Sequence, residues 1–256
     1  MSSILPKISI ITIVYNRVKD IDYTLKSITE QTYSNYEYLV IDGNSDDGTT
    51  TIIEKYSDKI DYYISEKDEG IYDAMNKGLQ KATGDYILFI NGGDNLHLKN
   101  TIEKLVNQFF KINQKLPDII FGECMLIDTN RNKVQTRSRF KNQVFPETLD
   151  YNSFKYGTNI SHQSFIVKRN LAPLFNLNYQ WSSDVDWMLN CIRVSENIQG
   201  TSEIISDFVM GDNSEIHKID SLKERFLIMS HHYGVLKTTA YHSIIILKNL
   251  RIKFIR

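Results

Sequence analysis

Two polar strand tips stand out in this chain. Tyr38-Leu39-Val40-Ile41 runs into Asp42 and then Gly43-Asn44-Ser45-Asp46-Asp47-Gly48-Thr49, and further on Tyr86-Ile87-Leu88-Phe89-Ile90 runs into Asn91-Gly92-Gly93-Asp94. Buried strands that end in acid, amide and glycine deliver these groups to the carboxyl edge of an open α/β sheet, where ligands bind. Carboxylates at that edge suit a ligand escorted by a divalent cation, and a nucleoside diphosphate is such a ligand.

Neighbouring patterns narrow the chemistry. Asp42, Asn44 and Asp46 fall at positions 1, 3 and 5 of a calcium loop, but Asp47 stands where that loop needs glycine and Ile53 where it needs a bidentate glutamate. The other reading is a tight turn in which Ser45, Asp46 or Asp47 caps the next helix. The turn after the first strand reads Tyr15-Asn16-Arg17-Val18, without the glycines of a dinucleotide site, and no Gly-Lys-Ser/Thr occurs. What remains there is a tyrosine able to stack on a base and an asparagine able to hold it.

The elements that position these groups alternate. Ile8 to Val14 is a β-branched run bounded by Pro6 and Asn16, read as a buried strand. Val18, Ile21, Leu25 and Ile28 have helical spacing, as do Ile71, Met75, Leu79 and Ala82 ahead of Gly84. Tyr38 to Ile41, Tyr62 to Ile64 and Tyr86 to Ile90 are strands, with a short helix around Ile52, Ile53 and Tyr56 and another from Leu98 to Phe110. This order predicts right-handed βαβ units and a mostly parallel sheet. After Pro117 the pattern changes to two short strands, Ile119 to Phe121 and Met125 to Ile127, then a hairpin turn over Asp128 to Asn132.

Bulk properties set the outer limits. The chain has 256 residues, 41% apolar, with net charge −1, enough for one large domain or two small ones. Nothing in this balance points to nucleic acid. Charge is uneven: Asp42 to Asp94 holds 12 acids against 5 Lys/Arg, and Lys218 to Arg256 holds 8 Lys/Arg against 2 acids. Cys124 and Cys191 have no metal-type spacing and read as free thiols of a reducing compartment. No signal peptide or spanning apolar run is read, so a cytoplasmic location is expected. The segment Ile244-Ile245-Ile246-Leu247 with Leu250, Ile252, Phe254 and Ile255 among Lys248, Arg251, Lys253 and Arg256 has the chemistry of a helix lying on an anionic membrane surface; a helix packed on the domain is the alternative.

Taken together, Ile11-Thr12-Ile13-Val14-Tyr15-Asn16, Val40 to Thr49, Ala74-Met75-Asn76-Lys77-Gly78, Ala82 to Asp94 and Ser183-Asp184-Val185-Asp186-Trp187-Met188-Leu189 resemble family 2 glycosyltransferases, inverting enzymes of the GT-A fold that use sugar nucleotides. The resemblance is dense over residues 7–95, thins over 96–220 and stops near the tail. It implies an α/β fold with a mostly parallel central sheet flanked by helices. Residues 1–97 would be the nucleotide-sugar half, 98–217 the acceptor half of the same domain, and 218–256 a helical tail.

Roles follow from the same resemblance. Thr12, Val14, Tyr15, Asn16 and Asp42 would hold the nucleoside, usually uridine. Asp68, Asp73, Asn76 and Lys77 would line the donor cleft, Lys77 reaching the diphosphate. The family's Asp-x-Asp is replaced by Asn91, Gly92, Gly93 and Asp94. Asp94 is then the expected ligand of Mn²⁺ or Mg²⁺, with Asn91 on the ribose and Gly92 and Gly93 admitting the diphosphate; a weakened or lost metal site is the alternative. Asp184 matches the catalytic base, with Asp186 as its rival, and His162, Gln163, Asp186 and Trp187 fall on the acceptor side. Trp181 could stack on a sugar ring and His217 sit near the diphosphate. The implied setting is bacterial O-antigen or capsule assembly, the acceptor a glycan or undecaprenyl-diphosphate-linked saccharide at the inner face of the cytoplasmic membrane. A sugar nucleotidyltransferase and a non-catalytic nucleotide-sugar-binding module are the rival readings.

Overall fold

The computed structural model describes residues 5–110, 115–157, 160–211 and 217–254, with side chains for all of these except 218 and 245–254. β1 (Ile8–Val14) is buried at every position, as a β-branched run is when both faces of its sheet are covered. β2 (Tyr36–Asp42) and β4 (Tyr86–Phe89) flank it in parallel, and β3 (Tyr62–Ser65) extends the sheet beyond β2. Parallel neighbours need crossovers, and these are α1 (Ile21–Thr29), α2 (Thr49–Glu54) and α3 (Ile71–Lys81). Successive strand residues face opposite cores. Ile11, Leu39, Ile41, Ile87 and Phe89 pack on one side with Met75 of α3, and Ile10, Tyr38, Val40 and Leu88 on the other with Leu25 and Ile28 of α1.

Past α4 (Thr101–Phe109) the sheet becomes mixed and curls. The described strands run in the order β3-β2-β1-β4-β8-β6-β9-β5, with β5 (Asn95–Leu96), β6 (Ile119–Ile127), β8 (Phe165–Lys168) and β9 (Ile198–Val209); β7 (Lys133–Thr136) pairs with β6. β8 is antiparallel to both β4 and β6, while β9 is parallel to β6.

Two expectations change. The two short strands expected after Pro117 are one strand, β6, whose register against β9 shifts between Phe121 and Glu123. Gly122 made the run look interrupted, but it is where the Ile205 side chain needs room: a Cβ there would lie 2.6 Å from Ile205 Cδ1. The first helix starts at Ile21, because Arg17 to Asp20 form a turn closed by the Ile21 N–H on Arg17 O, which leaves Val18 outside it.

The C-terminal segment is more integrated than a tail. α6 (Ser183–Val194) is preceded by three backbone N–H groups, of Gln180, Trp181 and Ser182, that all donate to the Glu224 carboxylate of α7 (Lys218–Tyr233) at 2.7–2.9 Å. At its other end α7 is tied to α6 by His232 Nε2 against Asp186 Oδ1 at 2.7 Å. α8 (Val235–Phe254) follows, with Tyr241 against Tyr156 and Tyr233. No helix among the described residues is long and apolar enough to cross a membrane. The side chains 245–256 that carry the membrane-surface reading lie outside the described residues.

Candidate functional site

At the carboxyl edge the register lines up Val14, Asp42 and Ser65. Asp42 is fully buried, and its carboxylate accepts from Ser45 N–H (3.0 Å), Ser45 Oγ (2.5 Å) and Ser65 Oγ (2.6 Å). It therefore shapes the tip loop from below and does not present itself to a base edge. Asn16, in the left-handed region at φ 51°, closes the same loop: its N–H donates to Ser45 Oγ and its Oδ1 accepts from the Asp46 N–H. Thr12 is likewise beneath the surface, accepting from Tyr38 OH at 3.0 Å.

Above this floor lies a slot. Tyr15 is 62% exposed, and a Cβ added to Gly43 would come within 2.9 Å of Asp68 Oδ2 and 3.4 Å of the Tyr15 ring. The walls are thus an exposed phenol face, a bare backbone segment and a carboxylate. Burial raises the Asp68 pKa, against the pull of Lys77, whose Nζ lies 2.6 Å from Asp68 Oδ1. Lys77 also meets Glu66 at 2.8 Å and Asp73 at 3.5 Å, so its charge is spent on a clamp that fixes Asp68 and is not turned to a diphosphate. Asp73 in turn accepts the Glu69 N–H at the start of α3. Asn76 exchanges hydrogen bonds with both the N–H and the carbonyl of Phe175, which makes it a backbone anchor rather than a cleft residue. Gly43→Ala is expected to leave the melting temperature unchanged and to weaken nucleotide binding by about tenfold, because the clamped Asp68 must move; calorimetric titration checks this.

The second tip is the Asn91–Asp94 loop. Gly92 donates to Ile13 O at 2.8 Å so close to β1 that a Cβ would lie 2.8 Å from Val14 Cγ2, and Gly93 has φ 108°. Thr24 of α1 pins the loop, donating to Asp94 O and accepting from the Gly93 N–H. Arg131, from the β6–β7 turn, donates to Gly93 O at 2.7 Å and meets Asp20 Oδ1 at 3.2 Å. The Asp94 carboxylate is 7% exposed; Gln163 Nε2 donates to one oxygen and the Val209 N–H to the other, the latter at 2.9 Å. No three His, Cys, Asp or Glu side chains converge as a metal site among the described residues. A divalent cation and its waters need carboxylate oxygens they can reach, and the one carboxylate in this loop is buried with an N–H donor on each oxygen. As folded, the loop does not fit a resident Mn²⁺ or Mg²⁺. The same contact removes Gln163 from the acceptor side, since it is 1% exposed and turned onto Asp94.

Across from this loop stands Asp184, in the first turn of α6. His162 Nδ1 lies 3.2 Å from Asp184 Oδ2, and His162 Nε2 lies 3.3 Å from Asn91 Nδ2. A neutral imidazole with its proton on Nδ1 satisfies both contacts, donating to Asp184 and accepting from Asn91. Tyr72 OH donates to Asp184 Oδ1 at 3.2 Å. The Asn91 Oδ1 is buried without a hydrogen-bond partner among the described residues, which leaves an unsatisfied acceptor beside His162. Burial alone would raise the Asp184 pKa, but His162, Arg225 and Arg137 outweigh it and hold the carboxyl down to about 2. This is an ionised carboxylate, oriented by two neighbours, with lone pairs left over.

Two other expected acceptor residues point elsewhere. On a helix, residues two apart do not share a face, and Asp186 turns to His232, which Tyr151 OH contacts at 2.7 Å, and to Asn190. Trp187 is 1% exposed, stacked on Phe175 at 4.9 Å with its Nε1 donating to Pro173 O. It is core, as indoles flanked by apolar helix positions commonly are. Trp181 and His217 stack on each other at 3.7 Å.

Several participants gave no signal in the sequence. Tyr72 lies beside the apolar stripe of its helix, Arg131 in a hairpin turn read only as a turn, and Arg137 and Arg225 in stretches where the family resemblance is thin or absent.

The profile of Glycosyl transferase family 2 matches residues 9–172. A PGL/p-HBAD biosynthesis glycosyltransferase of Mycobacterium bovis is 27% identical over 192 residues, covering 73% of this chain and 70% of its own. Among solved structures, S. aureus TarS 1–349 in complex with UDP-GlcNAc superposes with TM-score 0.67 at 21% identity, over 87% of this chain and 65% of that fragment; the chain spans 43% of the longer TarS structure. A mannosyltransferase of Pyrobaculum calidifontis, PcManGT, in complex with GDP-Man and Mn²⁺, superposes with TM-score 0.65 at 16% identity, over 93% of this chain and 74% of that one. These neighbours establish the GT-A type of fold, and the profile match over most of the chain gives its lineage: this protein belongs to glycosyl transferase family 2.

Proposed function

We propose that this protein transfers a hexosyl group with inversion from a nucleoside diphosphate sugar, UDP-linked by preference, to a hydroxyl of a glycan, with Asp184 as the base. The observation that carries the reading is the Asn91–His162–Asp184–Tyr72 chain: it orients one ionised carboxylate opposite the glycine-rich loop of the donor side.

The base in the slot stacks on Tyr15, and Asp68 accepts a ring N–H, which uracil and guanine both offer. Asn91 Oδ1 accepts from a hydroxyl of the sugar nucleotide. The acceptor O–H gives its proton to Asp184 as its oxygen attacks the anomeric carbon from the face opposite the diphosphate. The C–O bond to the diphosphate breaks, the electron pair staying on the phosphate oxygen. One displacement with one base inverts the anomeric centre. The basic, apolar sequence of residues 244–256 supports an acceptor carried on a lipid diphosphate at the membrane's inner face, as in O-antigen or capsule assembly.

Calorimetric titration of UDP, GDP, CDP and ADP, with and without Mn²⁺, tests the donor half. UDP is expected to bind tightest, with little gain from Mn²⁺. Absence of binding by every nucleotide would defeat the reading, and a preference for GDP would replace the donor.

A further inference from the structure

Two arginines stand beside the reaction centre without a counter-ion among the described residues. Arg137 opens α5 (Arg137–Phe140), which is held against β6 by Ser138 Oγ donating to Glu123 Oε2. Arg225 follows Glu224 on α7, and the grip of Glu224 on residues 180–182 presses that part of α7 to the start of α6, next to Asp184. Neither arginine has a carboxylate within ion-pair distance among the described residues, and the Nε of each is buried without a hydrogen-bond partner. Lys141, one turn beyond Arg137 with its N–H on Arg137 O at 3.1 Å, brings a third charge. The three act on one another. Burial first, then Arg137 and Arg225, bring the Lys141 ammonium down to about 7, and burial together with Arg225 lowers Arg137, with Asp184 and Glu123 pulling the other way.

Like charges drawn together and partly out of water are costly to a fold unless an anion joins them. Lys77 is engaged with three carboxylates and Arg131 with Asp20 and the loop carbonyl, so neither is turned to a diphosphate. The Asn91–Asp94 loop does not fit a resident cation, yet a departing diphosphate must be neutralised by something fixed in place. Guanidinium forks match phosphate oxygens in geometry as well as charge.

We propose that Arg137, Arg225 and Lys141 form a phosphate-binding subsite that neutralises a substrate diphosphate beside Asp184, taking over the work of a metal-binding loop. This rests on the transferase reading above. As the anomeric C–O bond breaks, the electron pair on the diphosphate oxygen faces these cations, while the acceptor proton goes to Asp184. The donor diphosphate and the diphosphate of a lipid-linked acceptor offer the same chemistry, and the experiment separates them.

Wild type and the variants Arg137→Gln, Arg225→Gln, Arg137→Lys and Arg225→Lys are titrated in EDTA with uridine, UDP, inorganic pyrophosphate and a polyprenyl diphosphate in detergent micelles, alongside thermal melts. Each glutamine variant is expected to weaken pyrophosphate and one of the two diphosphate ligands by about tenfold or more, with uridine unchanged. The lysine variants, which keep charge and fold, should lose less. Removing an unpaired buried cation should leave the ligand-free melting temperature unchanged or raised, whereas loss of a structural arginine lowers it. A loss confined to UDP assigns the donor, and one confined to the polyprenyl ligand assigns the acceptor; either supports the subsite. Unchanged affinity for pyrophosphate and both diphosphates in folded variants overturns it and leaves the transferase reading intact. Arginine-dependent pyrophosphate binding in a wild type that binds no nucleotide would do the reverse. If a glutamine variant does not fold, the lysine variants decide: no weakening of any diphosphate in either one overturns the subsite.

Discussion

Replacing Asp184 with asparagine is expected to lower the transfer rate by about 10²–10⁴-fold, the usual worth of a positioned base, while UDP affinity stays as in wild type. The amide keeps the size of the carboxylate and can still meet His162 and Tyr72, so the pocket survives and the proton acceptor does not. A stopped assay of sugar transfer paired with calorimetry on the same preparation reads both halves. Transfer at the wild-type rate in the variant would remove Asp184 from the chemistry. Loss of UDP binding together with transfer would instead make it part of the donor pocket.

The electrostatics of Asp184 add a pH signature. With its carboxyl held near 2 by His162, Arg225 and Arg137, it is ionised across the neutral range, and an acid limb of activity near pH 6 would belong to another group. The sign of the linkage follows: a folded pKa below the unfolded value of about 3.9 stabilises the fold at neutral pH, and that contribution is lost as pH falls through the folded value. A carboxylate held so low is a poor proton acceptor. An anion seated on Arg137 and Arg225 cancels part of the field that holds it there. Diphosphate binding would then raise the basicity of Asp184 at the moment the acceptor hydroxyl must be deprotonated. In that arrangement His162 and Tyr72 also act on Asp184, and Cys124, Glu123 and Lys141 act on the arginine side.

How far the sequence reaches is visible element by element. The parallel half was legible because β-branched runs and helical stripes alternate cleanly from Ile8 to Phe109, and each ends in a glycine, proline or polar turn. The mixed half was not, since Gly122 broke the apparent run of β6 and strand order across β8, β6 and β9 depends on long-range pairing. Asp184 and His162 could be named from the resemblance, and their contact could not, because 22 residues of chain separate them. Side-chain direction was the main blind spot. Gln163, Asn76, Lys77, Asp42 and Thr12 all lie near the site in space, but each spends its polar atoms on a neighbouring protein group, and composition carries no record of which way an amide or ammonium turns.

Trp187→Ala tests the largest such reversal. As an acceptor platform, the indole would leave stability alone and raise the acceptor KM when removed. As found, it is 1% exposed, stacked on Phe175 and edge-on to Phe89 and Phe165 at 5.8 and 5.9 Å, with its N–H on Pro173 O. Its loss empties an indole-sized volume and removes the hydrogen bond to Pro173 O, at a cost of about 3–5 kcal/mol. For a chain of this size that corresponds to a fall in melting temperature of roughly 10 °C. The effect reaches the site indirectly: Phe175 also stacks on Tyr72 at 5.6 Å, and Tyr72 donates to Asp184. A lower kcat from a loosened Asp184 should therefore accompany the lower melting temperature, with the acceptor KM little changed. A variant that melts as wild type does but needs far more acceptor would return Trp187 to the sugar-binding surface.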